Sequence, residues 1–113
     1  MSEPEFILFN KCIDMMDYAY DAMRDIPKDH RYALGADIRN SMGTLLRLII
    51  RCGKQYYKKT TLRELDIEHS ALKGLFLVAV RLKAINTKEY GILSRHMTEL
   101  GKMIGGGIKK ASR

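Results

Sequence analysis

Residues 38–63 read IRNSMGTLLRLIIRCGKQYYKKTTLR. Arg39, Arg47, Arg51, Lys54, Lys58, Lys59 and Arg63 are basic, and the stretch holds no Asp or Glu. On a helix advancing about 100° per residue, Arg39, Arg47, Arg51, Lys54 and Lys58 fall within roughly 120° of one another. Leu34, Ile38, Leu45, Ile49, Cys52 and Tyr56 gather on the opposite side. A segment with one face to bury and one uncompensated positive face is an amphipathic helix. Whatever the protein does has to use or tolerate that charge.

The same periodicity recurs on both sides of this segment. Upstream, Phe6, Phe9, Ile13, Met16, Tyr20 and Met23 alternate three- and four-residue steps, which predicts a buried helical stripe. Asp14, Asp17, Asp21 and Asp25 repeat at the same steps as an acidic ridge, expected to face solvent, a basic neighbour or a protein partner. Pro27 predicts a stop, since its ring and missing N–H oppose continuation. Downstream, Thr61 and Glu64 match a capping box. Leu62, Leu65, Leu72, Leu75, Phe76 and Ala79 then form a stripe, with His69 on it. Asn86 or Thr87 opens the last helix, with Glu89 in its first turn. Tyr90, Leu93, Met97, Leu100 and Ile104 are its buried face, and Lys88, Arg95, Lys102 and Lys109 a second basic ridge.

Four amphipathic helices, at about 5–25, 31–57, 62–83 and 88–105, joined by short connections predict an all-α, antiparallel up-down-up-down four-helix bundle. They fit one domain over residues 1–113, with Gly105-Gly106-Gly107 weakening the last helix ahead of a short basic C-terminal tail. The run Leu75-Phe76-Leu77-Val78-Ala79-Val80 is apolar nearly all round. One subunit of a small bundle does not bury a whole helix circumference. An oligomer interface through Leu75, Leu77, Val78 and Val80, or a covering by the chain's own ends, accounts for it.

The net charge of +7 is unevenly spread: residues 1–30 carry seven acids and three bases, residues 31–113 six acids and seventeen bases. A basic excess of this kind raises the chance of a polyanion partner, nucleic acid or an anionic surface, while composition alone accounts equally well for a merely soluble basic exterior. Cys12 and Cys52 lie among apolar neighbours without C-x-x-C spacing and read as reduced core residues of a cytosolic protein. No secretory leader and no long apolar run is present, so a cytoplasmic protein with no membrane span is expected.

Catalytic constellations are missing. His30, His69 and His96 form no H-E-x-x-H or H-x-x-H pattern, and none follows a Glu at three residues' distance, as di-iron bundles require. There is no phosphate-loop motif, and the triple glycine follows a helix instead of opening one. No metal, no cofactor and no catalysis are expected. Charge on helix faces remains, and phosphates attract Lys and Arg without any motif. Tyr57, beside Lys58, is the candidate to stack on a base.

The order of residues resembles a known family. Ile26-Pro27-Lys28 followed by Tyr32, Leu34-Gly35 and Ile38-Arg39 is similar to a block shared by small bacterial four-helix-bundle proteins. These comprise the ribosomal-RNA intervening-sequence proteins and the accessory variability (Avd) proteins of diversity-generating retroelements. Leu65-Asp66-Ile67-Glu68, Leu75, Arg81-Leu82, Tyr90 and the run Leu100-Gly101-Lys102-Met103-Ile104-Gly105-Gly106-Gly107-Ile108-Lys109 resemble the Avd branch. Gly107 stands where that pattern usually has a bulky aromatic, and His69 where an aliphatic residue is common. The resemblance implies a non-enzymatic protein, a homopentamer, that binds RNA or DNA through basic surfaces and associates with the element's reverse transcriptase during mutagenic copying. The alternative is an intervening-sequence-type interaction module with a protein partner. The phosphate contacts expected are Arg39, Arg47, Arg51, Lys54, Lys58 and Lys59, then Lys73 and Arg81, then Arg95, Lys102 and Lys109.

Overall fold

The computed structural model describes residues 1–112. It contains α1 (Glu3–Ala22), a single turn α2 (Lys28–Arg31), α3 (Leu34–Lys54), α4 (Lys59–Arg81) and α5 (Thr87–Ala111). The four long helices form the antiparallel bundle. α1 packs on α3 and α5, and α4 packs on the same two, while the backbones of α1 and α4, like those of α3 and α5, do not approach closely. This ring order makes α1 and α4 diagonal corners, and α3 and α5 the other diagonal. The core holds Met15, Ile38, Met42, Leu45, Ile49, Leu65, Leu72, Leu93, Met97, Leu100 and Ile104, all fully enclosed. Both cysteines are buried and free, and burial pushes the Cys12 thiol up to about 12. A thiol held protonated in this way is inert.

Helix boundaries follow local chemistry, and several depart from the sequence expectation. Ser2 caps α1, its hydroxyl accepting from the Glu5 N–H, with Pro4 in the first turn where its missing donor costs nothing. α1 closes at Ala22, ahead of Pro27, and Pro27 instead opens the turn α2. The second long helix therefore runs from Leu34 to Lys54, shorter than the expected 31–57, because Gln55 turns to extended backbone (φ −92°, ψ 147°). Tyr56, expected on the buried stripe, is left outside. The expected capping box at Thr61 does not form. α4 begins three residues earlier, Thr61 is buried with its hydroxyl donating to Gln55, and Glu64 reaches Arg51. A full capping box forms at α5, where Asn86 Oδ1 accepts from Glu89 N–H and Glu89 Oε1 from Asn86 N–H, at 2.8 and 2.9 Å. α5 runs through the triple glycine to Ala111. Ile108 packs on the core, so the expected tail is helical over residues 106–111, and Arg113 lies outside the described residues.

The end of α4 carries the one described non-glycine residue with positive φ, Lys83 at 60°. Ala84 N–H donates to Ala79 C=O and Lys83 N–H to Val80 C=O. This is a Schellman ending, which normally recruits glycine at the left-handed position. Its apolar clasp comes from the buried Ala84 and Ile85.

α1 turns a different face inward from the one expected. Leu8, Cys12, Met15 and Ala19 are buried; of the expected row, Met23 is buried just past the helix end, Phe9, Ile13 and Met16 are half-buried, and Phe6 and Tyr20 are exposed. Both rows have helical spacing, and small Cys12 and Ala19 let α1 sit close to its neighbours. The aspartates held the distinguishing signal. Their ridge lies roughly 155° around the helix from the Leu8–Ala19 row but only roughly 105° from the Phe6–Tyr20 row. α1 thus carries a second apolar row that the fold leaves half uncovered.

Candidate nucleic-acid interface

α3 brings Arg39, Arg47, Arg51 and Lys54 to one outer corner. The helix can carry these cations because its other face is apolar enough to seat it between α1 and α4. Two glycines shape the cationic row. A Cβ at Gly43 would stand 3.3 Å from a guanidinium nitrogen of Arg47, and one at Gly35 3.1 Å from a guanidinium nitrogen of Arg39. Each arginine lies back over the glycine four residues before it. The Arg47 side chain, not another backbone, fills the space beside Gly43.

Availability differs among the predicted contacts. Arg47 and Lys54 are exposed, and none of the ion pairs among the described residues uses them or Arg39. Arg51 faces Glu64 across the α3–α4 edge at 3.7 Å. Lys58 is committed elsewhere: its Nζ donates to Glu5 Oε1 at 2.6 Å, half-buried, tying the start of α4 to the start of α1. Burial raises the Glu5 carboxyl, but the bonds from Lys58 and Ser2 and the Lys58 charge outweigh it, leaving a pKa below the usual value. Glu5 Oε2 has no hydrogen-bond partner among the described residues. Lys59 is exposed at the opening of α4.

The remaining predicted residues lie on other surfaces. Lys73 and Arg81 are exposed on α4, and Arg95, Lys102 and Lys109 on α5. Since α3 and α5 are diagonal, their two basic ridges do not form one continuous surface on a subunit. A straight duplex lying on one corner does not reach the other. Across the α1–α5 edge, Lys11 Nζ bonds Glu99 Oε2 at 2.8 Å, and the Tyr18 ring leans on His96 with centroids 6.1 Å apart. Beside them Asp14, Asp17, Asp21 and Arg24 line an open depression. This acidic corner repels phosphate.

Apolar exposure is concentrated on the other diagonal. On α4, Ile67, Ala71, Gly74, Val78 and Leu82 follow one another at four- and three-residue steps and are all exposed, Ile67 at 70% and Val78 at 44%. Of the four residues expected at an oligomer contact, Val78 and Leu77 face out, whereas Leu75 and Val80 pack on the subunit's own core. Ile67 and Leu82 escaped the sequence reading because they sit outside the continuous apolar run; Leu82 four positions after Val78 and Ile67 eleven before it, three helical turns away on the same face, are the signal that finds them. His69 is buried in the core side of α4, its Nε2 bonded to Met97 C=O at 2.6 Å. Gly107 is covered by Leu62, whose Cδ2 would stand 3.1 Å from a Cβ there, so no aromatic is needed to close that end.

Among the described residues no group of His, Cys, Asp and Glu is placed to hold a metal ion, and no helix is long and apolar enough to cross a membrane. The molecule is a small four-helix bundle whose chemistry lies on its outer corners: basic, acidic and apolar. Its sequence matches the bAvd-like family over residues 6–111, and the chain belongs to that family. No curated protein matches it.

Proposed function

We propose that this protein is a non-catalytic accessory subunit of a diversity-generating retroelement, binding RNA or DNA electrostatically and associating with the element's reverse transcriptase. The observation that carries the binding is the α3 corner, where exposed Arg47 and Lys54 have no carboxylate partner among the described residues. Cations left free along about 10 Å of one helix attract a phosphate backbone and release its counterions, with little demand on sequence.

The two uncovered apolar rows fit a ring of copies. The α4 row and the α1 row (Phe6, Ile13, Tyr20) are two different apolar surfaces on diagonal corners. Pairing one with the other on the next copy is a head-to-tail contact, which closes into a ring when the rotation permits. A pentamer built in this way repeats the basic corners around one assembly, so weak phosphate contacts gain from proximity. It also answers the separation of the α3 and α5 ridges, since corners of neighbouring copies can meet where those of one copy do not.

The test is fluorescence anisotropy of labelled RNA and DNA across a salt series. Arg47→Glu with Lys54→Glu weakens binding and lowers the slope of log K against log salt by about 2. Asp17→Asn leaves both unchanged or tightens binding. Equal affinity of the double variant and the parent at moderate salt refutes the α3 corner as the contact.

A further inference from the structure

The four residues Gln55–Lys58 that join α3 to α4 do something unusual for a short connection. Their polar groups are anchored while their two aromatic rings are not. Gln55 N–H donates to Arg51 C=O at 3.0 Å, Gln55 Oε1 accepts from Thr61, and Lys58 holds Glu5. The Tyr56 and Tyr57 rings nevertheless stand 88% and 87% exposed, touching each other edge to face with centroids 4.9 Å apart and planes at 83°. Two adjacent aromatic side chains that the fold does not bury forgo the burial that normally recruits them.

The charge around them selects the occupant. Arg51, Lys54, Lys59 and Arg63 flank the loop and are exposed. Two carboxylates that meet this end of the bundle, Glu5 and Glu64, are each engaged with a cation, Lys58 and Arg51. An aromatic pair set among cations fits a ligand with flat apolar faces joined by negative charges, and a nucleic acid with unpaired bases has that chemistry. A duplex does not, because its base faces are closed by stacking. We infer that Tyr56 and Tyr57 form a stacking platform for unpaired bases, so that single-stranded nucleic acid is held across the end of the bundle where α3 meets α4. The rings are in contact, so no base enters between them. Bases stack on their outer faces, and a strand using both bends by roughly a right angle.

This rests on the electrostatic reading above and adds the class of nucleic acid. Short labelled single strands, one arm RNA and one arm DNA, and the matching duplexes are titrated by anisotropy against the full chain. The variants are Tyr56→Ser/Tyr57→Ser and Tyr56→Phe/Tyr57→Phe. The serine variant is expected to bind single strands about five-fold or more weakly, the loss of at least one stacked base, with duplex affinity unchanged. The phenylalanine variant retains parental affinity. Because the chain has six Tyr and no Trp, bound single strands also quench tyrosine emission, less so in the serine variant. Single-strand affinity unchanged in the serine variant, while Arg47→Glu/Lys54→Glu loses it, overturns the platform and leaves the basic corner standing. Parallel loss of duplex and single strand overturns it too. If the parent binds no nucleic acid, both readings fall. Serine substitution that instead disperses the oligomer, with single-strand binding intact, assigns the rings to a second copy and refutes the proposal.

Discussion

Replacing Gly101 with alanine probes the contact that holds α4 against α5. A Cβ at this position would lie 2.9 Å from Cε1 and 3.2 Å from Nε2 of His69. That ring is not free to yield, because it is buried and Nε2 is bonded to Met97 C=O at 2.6 Å. Alanine gains about 1 kcal/mol over glycine in a helix interior. Against this, forcing a methyl into a packed site costs about 1–3 kcal/mol, and displacing the ring from its buried carbonyl costs about 1–3 kcal/mol more. Gly101→Ala is therefore expected to lose about 2 kcal/mol net, a fall in Tm of about 8 °C for a chain of this size. Removing the ring reverses the sign: in a His69→Ala background, Gly101→Ala is expected to stabilise by about 1 kcal/mol. Gly105, with open space around it, is the control, where alanine stabilises in either background. Urea unfolding followed by helical circular dichroism, at one protein concentration so that assembly contributes equally, measures all of these. Gly101→Ala as stable as the parent while His69 is present refutes the packing argument. So does the same sign of effect in both backgrounds.

Other expectations follow from single features. Lys83→Gly relieves a left-handed residue at the end of α4 and is expected to add about 1 kcal/mol, read in the same unfolding assay. Glu5 has a lowered pKa in the fold, so its contribution is fully present above the usual value of 4.5 and is lost as pH falls through the lowered folded value. Glu5→Gln is expected to flatten that acid limb of the stability profile, and by freeing Lys58 to raise the salt slope of nucleic-acid binding by about 0.9. Phe6→Asp and Val78→Asp each strike one of the two apolar rows and are expected to break the proposed ring without unfolding the helices, as light scattering would show. Mixing the two variants is expected to form pairs, since each keeps the row the other has lost. Failure to pair on mixing argues against a head-to-tail contact.

Much of the bundle could be read from spacing, and the places where spacing misled have physical reasons. α3 and α5 each have one clear apolar stripe opposed by cations, so Ile38, Leu45, Ile49, Leu93, Met97, Leu100 and Ile104 were legible as core and prove buried. α1 has two apolar rows, and periodicity alone ranks the larger residues first. The choice fell to the smaller row because Cys12 and Ala19 permit close packing. Tyr56 fitted the stripe of α3 numerically, but the helix ends at Lys54, and a residue beyond the last turn has no helical face. Lys58 counted as a free cation in the sequence, and Glu5, 53 positions earlier, takes it.

The sequence by itself determined that this chain is helical, amphipathic in four segments, basic after its first thirty residues and, through an ordered set of residues, bAvd-like. Those properties depend on composition and on neighbours within a turn or two of helix, which the chain specifies locally. Tertiary structure decided which cations remain free, which apolar rows stay uncovered, and that the basic ridges of α3 and α5 stand on opposite corners. Each of these depends on which helices meet. In the 38–63 stretch the charge was visible from the start. That its end lifts two tyrosines into solvent beside free cations was decided only when α4 folded back along α3.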